Sequence, residues 1–174
     1  MKKLNELMQK DTVRMDLLSA VSSIGLPDWY IGAGFVRNLV WDHIHEFSHT
    51  PLNDVDVIYF SQATIDEKAV LEQLLISHPT VNWQLKNQAR MHIRNGDQPY
   101  RNSMHAMEYW PEIETAIGVR LSSNSKLLFA SPFDIPSIFD GYITHNKNRE
   151  KSIFLKRIDD KNWLKLWPKL RVKL

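Results

Sequence analysis

The run Asn53-Asp54-Val55-Asp56-Val57-Ile58-Tyr59-Phe60 constrains this chain more than any other. On a strand, alternate side chains share a face, so Asp54 and Asp56 project together while Val55, Val57 and Tyr59 project the other way. Aspartate is rare in strands, and like charges side by side destabilise them. A cation between the two carboxylates removes that penalty. Magnesium takes one or two protein carboxylates and fills its remaining positions with water and substrate phosphate oxygens. The run therefore reads as a half-buried strand whose polar face meets a metal ion and phosphate.

Upstream, Trp29-Tyr30-Ile31 reads as a short strand followed directly by Gly32-Ala33-Gly34. Phe35, Val36, Leu39, Val40 and Ile44 then recur with helical period up to Thr50-Pro51. Gly32 and Gly34 allow positive φ and close backbone approach, and a helix starting near Phe35 aims unpaired N–H groups at the turn, where an anion fits. Val13, Leu17, Leu18, Val21 and Ile24 mark one helix over 12–24, ended by Gly25 and Pro27. Thr64-Ile65-Asp66-Glu67 has the spacing of a capping box, opening a helix that ends at His78-Pro79, and Val81–Lys86 is a third strand. Strands alternating with helices predict a mixed α/β sheet with a crossover connection.

The second half predicts a short helix over Pro111–Ile117 and a hairpin of Gly118–Leu121 with Lys126–Ala130 around Ser122–Ser125. A helical turn over Ile135–Phe139, a strand at Tyr142–Thr144 and a terminal helix over Asp159–Trp167, stopped by Pro168, complete the expectation.

At 174 residues and 43% apolar content the chain makes one domain with a real core. Cysteine is absent, which excludes disulfides, thiolate zinc sites and a cysteine nucleophile. No apolar run approaches a membrane span, and Met1-Lys2-Lys3 has no apolar stretch behind it, so the expected setting is cytoplasmic, without membrane. Charge is uneven. Residues 145–174 hold ten Lys and Arg against three acids, a net +7, which leaves −5 on the first 144. That asymmetry suits an anionic partner near the C-terminus or a solvated basic helix. Lys161, Lys165, Lys169 and Lys173 alternate with Trp163, Leu166, Trp167 and Leu170. Such a face can stack and neutralise single-stranded nucleic acid, but tryptophans at helical spacing more often dock on the core, and Pro168 interrupts the repeat.

Gly32-Ala33-Gly34-Phe35-Val36-Arg37-Asn38-Leu39 resembles the Gly-Gly-x-Val-Arg-Asp-x-Leu turn of the nucleotidyltransferase superfamily, in particular its bacterial poly(A) polymerase and CCA-adding branch. Asp54-Val55-Asp56 matches the D-x-D strand of that superfamily. Lys86-Asn87-Gln88-Ala89-Arg90-Met91-His92, Ala130-Ser131-Pro132-Phe133-Asp134, and Lys161-Asn162-Trp163 with Trp167-Pro168 resemble a narrower bacterial family, a domain of unknown function placed among the nucleotidyltransferases.

The resemblance implies that Asp54 and Asp56 are the catalytic metal ligands for magnesium or manganese. It also implies that Gly32 and Gly34 contact the phosphates of a nucleoside triphosphate, the α-phosphorus of which is attacked by a hydroxyl. Arg37, a turn beyond Gly34, reaches either a phosphate or a surface acid such as Asp42. Lys86, Asn87 and Arg90, with Gln88 and His92, either line the same cleft or face water. Arg101-Asn102-Ser103 loosely resembles a nucleotide-contact segment. One departure stands out. The third carboxylate usual in the superfamily would lie on Val81–Lys86, which offers Gln84 and Lys86 instead. Asp97 or Glu108 completes the site, or it binds one metal, or it has lost catalysis.

His45-Glu46-Phe47-Ser48-His49 satisfies H-E-x-x-H, the zinc-hydrolase pattern. Against it, Leu52 and Val55 stand where the metzincin extension needs Gly and His, and Thr50-Pro51 ends the helix at once. The expectation is thus a single nucleotidyltransferase-like α/β domain: an N-terminal helix within 1–26, the glycine turn and D-x-D core over 27–94, and a sheet extension with a basic helix over 95–174. It would move a nucleotidyl group from a nucleoside triphosphate to a nucleic-acid or small-molecule hydroxyl. The alternatives are a silent nucleotide- or RNA-binding relative and the zinc hydrolase.

Overall fold

The computed structural model describes residues 1–174. Two helices, α1 (Lys2–Lys10) and α2 (Thr12–Ile24), stand where one was expected. Asp11 separates them because its carboxylate accepts the backbone N–H of Arg14 and caps α2. Gly25 ends α2 in the left-handed region, φ 75°. Val13, expected on the apolar face, is exposed.

β1 (Tyr30–Gly32) leads through the glycine turn into α3 (Gly34–His45), and β2 (Val55–Tyr59) follows. α3 is shorter than its pattern suggests. Glu46 takes φ 58°, and the Asp42 carboxylate accepts both the N–H and the hydroxyl of Thr50, folding the chain back before Pro51. α4 (Glu67–Ser77) is capped by Asp66, which accepts the N–H of Ala69, so Thr64 lies outside the helix and the expected capping box does not form. α4 crosses over to β3 (Trp83–Asn87), which runs parallel to β2, with Asp56 opposite Gln84 and Ile58 opposite Lys86.

α5 (Gln88–Asn95) and α6 (Ser103–Met107) fill the next stretch, and the expected helix over Pro111–Ile117 is one 3₁₀ turn, Ile113–Thr115. β4 (Gly118–Leu121) and β5 (Leu127–Ala130) form the predicted hairpin, and Ile135–Asp140 is a 3₁₀ segment. The five-stranded sheet has the order β3-β2-β1-β4-β5, antiparallel except for β2 with β3. β6 (Tyr142–Thr144) pairs in parallel with β7 (Arg171–Lys173), a strand the sequence pattern did not suggest. Between them the expected terminal helix is two, α7 (Lys151–Lys161) and α8 (Trp163–Leu166), broken by Asn162 in the left-handed region. No helix is long and apolar enough to cross a membrane.

α1 to α4 cover one sheet face, with Leu18, Val21, Phe35, Val36, Val40, Val55 and Val57 in the principal core. The other face carries Tyr30 and Ile58 beneath Met107 and Ala116, and leaves Asp54 and Asp56 half-buried beside them. A second core gathers Trp41 of α3 with Ile143, Phe154, Ile158, Trp163, Trp167 and Leu170. Trp41 meets Trp163 and Trp167 edge-on, at centroid distances of 5.6 and 5.2 Å. The tryptophans of the tail therefore dock, as their spacing favoured. Trp41 is fully buried, yet its indole N–H has no partner. Trp41→Ala should cost about 3–5 kcal/mol in urea unfolding, and Trp41→Phe, which keeps most of the volume and strands no donor, about 1.5 kcal/mol or less.

Candidate functional site

The turn between β1 and α3 is built around Ala33. Its backbone has φ 54° and ψ −121°, a region nearly reserved for glycine. Neither flanking glycine carries the positive φ expected of it. Gly32 is needed for another reason: a Cβ there would stand 2.9 Å from the Trp110 ring. A Cβ on Gly34 would stand 3.3 Å from a terminal nitrogen of Arg37. The twist lets the Ala33 N–H reach the Ile117 carbonyl at 3.2 Å, tying the turn to the chain before β4. Ala33 offers no side-chain cap to α3, so the first N–H groups of that helix stay open at the mouth of the cleft.

Across the cleft, Asp54 stands one residue before β2 and Asp56 within it. Asp54 has no protein hydrogen-bond or ion-pair partner. Asp56 has one: the Lys86 ammonium lies 2.5 Å from its Oδ1. The parallel register brings Lys86 there, since the polar faces of β2 and β3 align. β3 thus brings Gln84 and Lys86, and no acid, to this face, and no cluster of three or more potential metal-ligating side chains exists in the molecule.

Cations supply the remaining walls. A cavity of about 190 Å³ is bounded by Ala33 and Gly34, by Asp54, Asp56 and Gln84, and by Arg37, Lys86, Arg157 and Lys161. Arg37 is buried with its guanidinium between two indoles, 4.9 Å from the Trp41 centroid and 4.5 Å from that of Trp163. It donates to Thr115 Oγ1 at 2.9 Å and to Asn38 Oδ1 at 3.1 and 3.2 Å. Burial lowers its pKa to about 10, against the opposing pull of Glu112 and, more weakly, of Asp54 and Asp56. Arg37 stays charged at neutral pH and faces the carboxylates, while Asp42, its alternative partner, is occupied by Thr50 and by the Trp167 N–H.

Arg157 and Lys161 come from α7, one helical turn apart, and sequence reasoning missed both as cleft residues. Arg157 donates to the buried Glu112 carboxylate at 2.6 Å, which holds it at the cleft edge. The signal was their four-residue spacing just before Trp163, obscured by placing the terminal helix too late. A larger cavity of about 450 Å³ adjoins the first, sharing Ala33, Asp56, Lys86 and Arg157. Ile58, Met91, Trp110 and Ile153 make it partly apolar, and Gln88, Arg94, Asn95 and Thr115 add polar groups.

Other expected residues lie elsewhere. Asn87 caps α5 and bonds the backbone of Ser61 on both sides, a structural role. Arg90 is exposed and, with Asn87, lines a cavity of about 390 Å³ beside Tyr59 that shares Lys86 with the cleft but contains neither Asp54 nor Asp56. His92 stacks edge-on with Tyr100. Asn102 caps α6 and Ser103 bonds Asp28, leaving Arg101 outside the cleft. Asp97 is held by Arg149 and Tyr100, and neither it nor Glu108 lines the cleft, so neither completes the pair. The zinc reading fails on geometry. α3 ends at His45, whose Nδ1 bonds the Trp41 carbonyl at 2.7 Å and whose Nε2 accepts the Lys169 N–H at 2.8 Å, leaving no lone pair for metal. His49 lies outside the helix, near Asp11.

A family model described as nucleotidyltransferase matches residues 19–172. The chain belongs to this nucleotidyltransferase family. A solved NMR structure, described as revealing a CCA-adding enzyme head domain, matches with a TM-score of 0.86 at 27% identity. The alignment covers 99% of this chain and 95% of that chain. No curated protein matches.

The donor set of this cleft fits a divalent ion. Asp54 is free, Asp56 keeps one oxygen clear of Lys86, and the cleft leaves room for water and phosphate oxygens to complete the shell. The strain at Ala33 yields a direct test. Ala33→Gly should raise stability by about 1 kcal/mol in urea denaturation, because relief of the forbidden backbone region outweighs the added freedom of the unfolded chain.

Proposed function

We propose that this protein catalyses metal-dependent transfer of a nucleotidyl group from a nucleoside triphosphate to a hydroxyl acceptor. The observation that carries this reading is the convergence, on one cleft, of the strained turn at Ala33, the carboxylates of Asp54 and Asp56, and four cationic side chains. The open N–H groups of α3 and the Arg37 guanidinium bind phosphate oxygens. Asp54 and Asp56 hold magnesium or manganese. Bound there, the ion would neutralise charge on the phosphates and lower the barrier to an in-line displacement.

Lys86, Arg157 and Lys161 offset the charge of the departing pyrophosphate. The larger cavity takes the nucleoside, with Trp110 as an apolar wall and the amides of Gln88 and Asn95 as polar contacts to the base. The acceptor hydroxyl releases its proton to solvent as its oxygen bonds to the α-phosphorus, the bond from that phosphorus to the oxygen bridging to the β-phosphate breaks, and pyrophosphate leaves. Likeness to a CCA-adding head domain makes an RNA 3′-hydroxyl the first acceptor to try, ahead of small-molecule hydroxyls.

The Lys86–Asp56 ion pair favours a second reading, a relative that binds nucleotide without turnover. Pyrophosphate release separates the two. With a radiolabelled triphosphate and a panel of RNA and small-molecule acceptors, the wild type should release pyrophosphate, and Asp54→Asn should slow release roughly 100-fold or more. Magnesium-dependent binding of the triphosphate, with no release from any acceptor, would favour the binding module.

A further inference from the structure

The two carboxylates of the cleft are bordered by an ammonium group. Lys86 Nζ sits 2.5 Å from Asp56 Oδ1, with 41% of its side chain exposed, and Lys161 lines the same cavity with no acidic partner of its own. Arg157 is fixed at its edge by Glu112. We propose that the side-chain cations Lys86, Arg157 and Lys161 take the place of a second metal ion, so that the site works with one divalent ion per chain. This inference rests on the nucleotidyl-transfer reading above.

Two-ion sites clamp the attacking and leaving oxygens of a displacement symmetrically, and they need enough carboxylates to hold both ions. This cleft has two carboxylates, one already committed in part to an ammonium, against four side-chain cations. The side chains lining it therefore carry a net +2, or +1 when the buried Glu112 behind Arg157 is counted. A nucleoside triphosphate carries about four negative charges near neutral pH. One divalent ion brings the occupied site close to neutrality, whereas a second would leave an excess of positive charge beside Lys86. Geometry agrees with this count. A second ion sharing Asp56 would displace Lys86 from its only ion pair or stand against it.

The placement of α7 explains how the fold supplies these cations. Phe154, Ile158 and Trp163 anchor the segment in the second core, and that orientation turns Arg157 and Lys161 toward Asp54 and Asp56. The C-terminal third of the chain thus completes the phosphate side of a site whose acids come from the first third. Lys86 enters from β3 and closes the ring.

Two binding measurements test this on the full chain. In equilibrium dialysis with an α,β-methylene nucleoside triphosphate, the wild type should hold one Mn2+ per chain at saturation, and Lys86→Glu, which exchanges the ammonium for a carboxylate, should hold two. In EDTA, the wild type should still bind the same triphosphate, and Lys86→Met and Lys161→Ala should each weaken that metal-free binding by about tenfold. Lys161 has no structural partner, so its substitution keeps the test independent of folding. Two Mn2+ ions on the wild type with the triphosphate bound, or metal-free binding unchanged in both neutral variants, would overturn the one-ion account while leaving nucleotidyl transfer standing. Failure of the wild type to bind the triphosphate with or without Mn2+ would overturn both.

Discussion

A guanidinium withdrawn from water must have its donors satisfied and its flat faces covered, and the arrangement around Arg37 follows from that demand. Its faces are covered by Trp41 from α3 and Trp163 from α8, and its nitrogens bond Asn38 and Thr115. One side chain in the first turn of the central helix thereby connects the glycine turn, the 3₁₀ turn before β4 and the C-terminal segment. Trp163 cannot reach Arg37 unless α7 packs against Trp41. Once α7 packs there, Arg157 and Lys161 face the carboxylates. The second core and the cationic wall of the cleft are two results of a single packing arrangement.

Electrostatics and strain converge at the same place. Ala33 holds a backbone conformation that costs about 1–3 kcal/mol, and neighbouring bonds maintain it: the Ala33 N–H to Ile117 and the Arg37 N–H to the Ala33 carbonyl. The conformation opens the helix N-terminus toward Asp54 and Asp56 without a side chain in the way. Around this opening positive charge exceeds negative, which suits a polyanion more than an isolated metal ion. On the proposed reading, the carboxylates orient an ion that arrives with phosphate, and the cations hold the phosphate itself.

Much of the central sheet was legible because its signals are local. The D-x-D alternation placed Asp54 and Asp56 on one face, the breakers around Ser122–Ser125 marked the hairpin, and Pro27, Pro51 and Pro79 bounded the early elements. What local pattern could not give was the set of partners formed across the chain. Asp11 divides the N-terminal segment through a cap that hydrophobic period does not encode, and Asn162 breaks the terminal helix by taking a left-handed conformation. Val172 pairs with Ile143 in a short exposed strand that has no alternation to reveal it. Asn87 and Arg90 share a motif and a cavity with Lys86, yet a strand end and a helix turn keep them off the face that carries Asp54 and Asp56. The H-E-x-x-H pattern failed because His45 is consumed by Trp41 and Lys169, a fact of tertiary contact.

The central claim is that a triphosphate lies along Arg37, Lys86, Arg157 and Lys161 with its α-phosphorus over Asp54 and Asp56. A crystal structure with a non-hydrolysable nucleoside triphosphate and Mn2+, analysed by anomalous scattering, tests it most directly. The account predicts an anomalous peak ligated by Asp54 and Asp56, phosphate oxygens against those four cations and the N-terminus of α3, and the nucleoside beside Trp110. A triphosphate seated instead in the cavity beside Tyr59 and Arg90, with no metal on the aspartates, would contradict it.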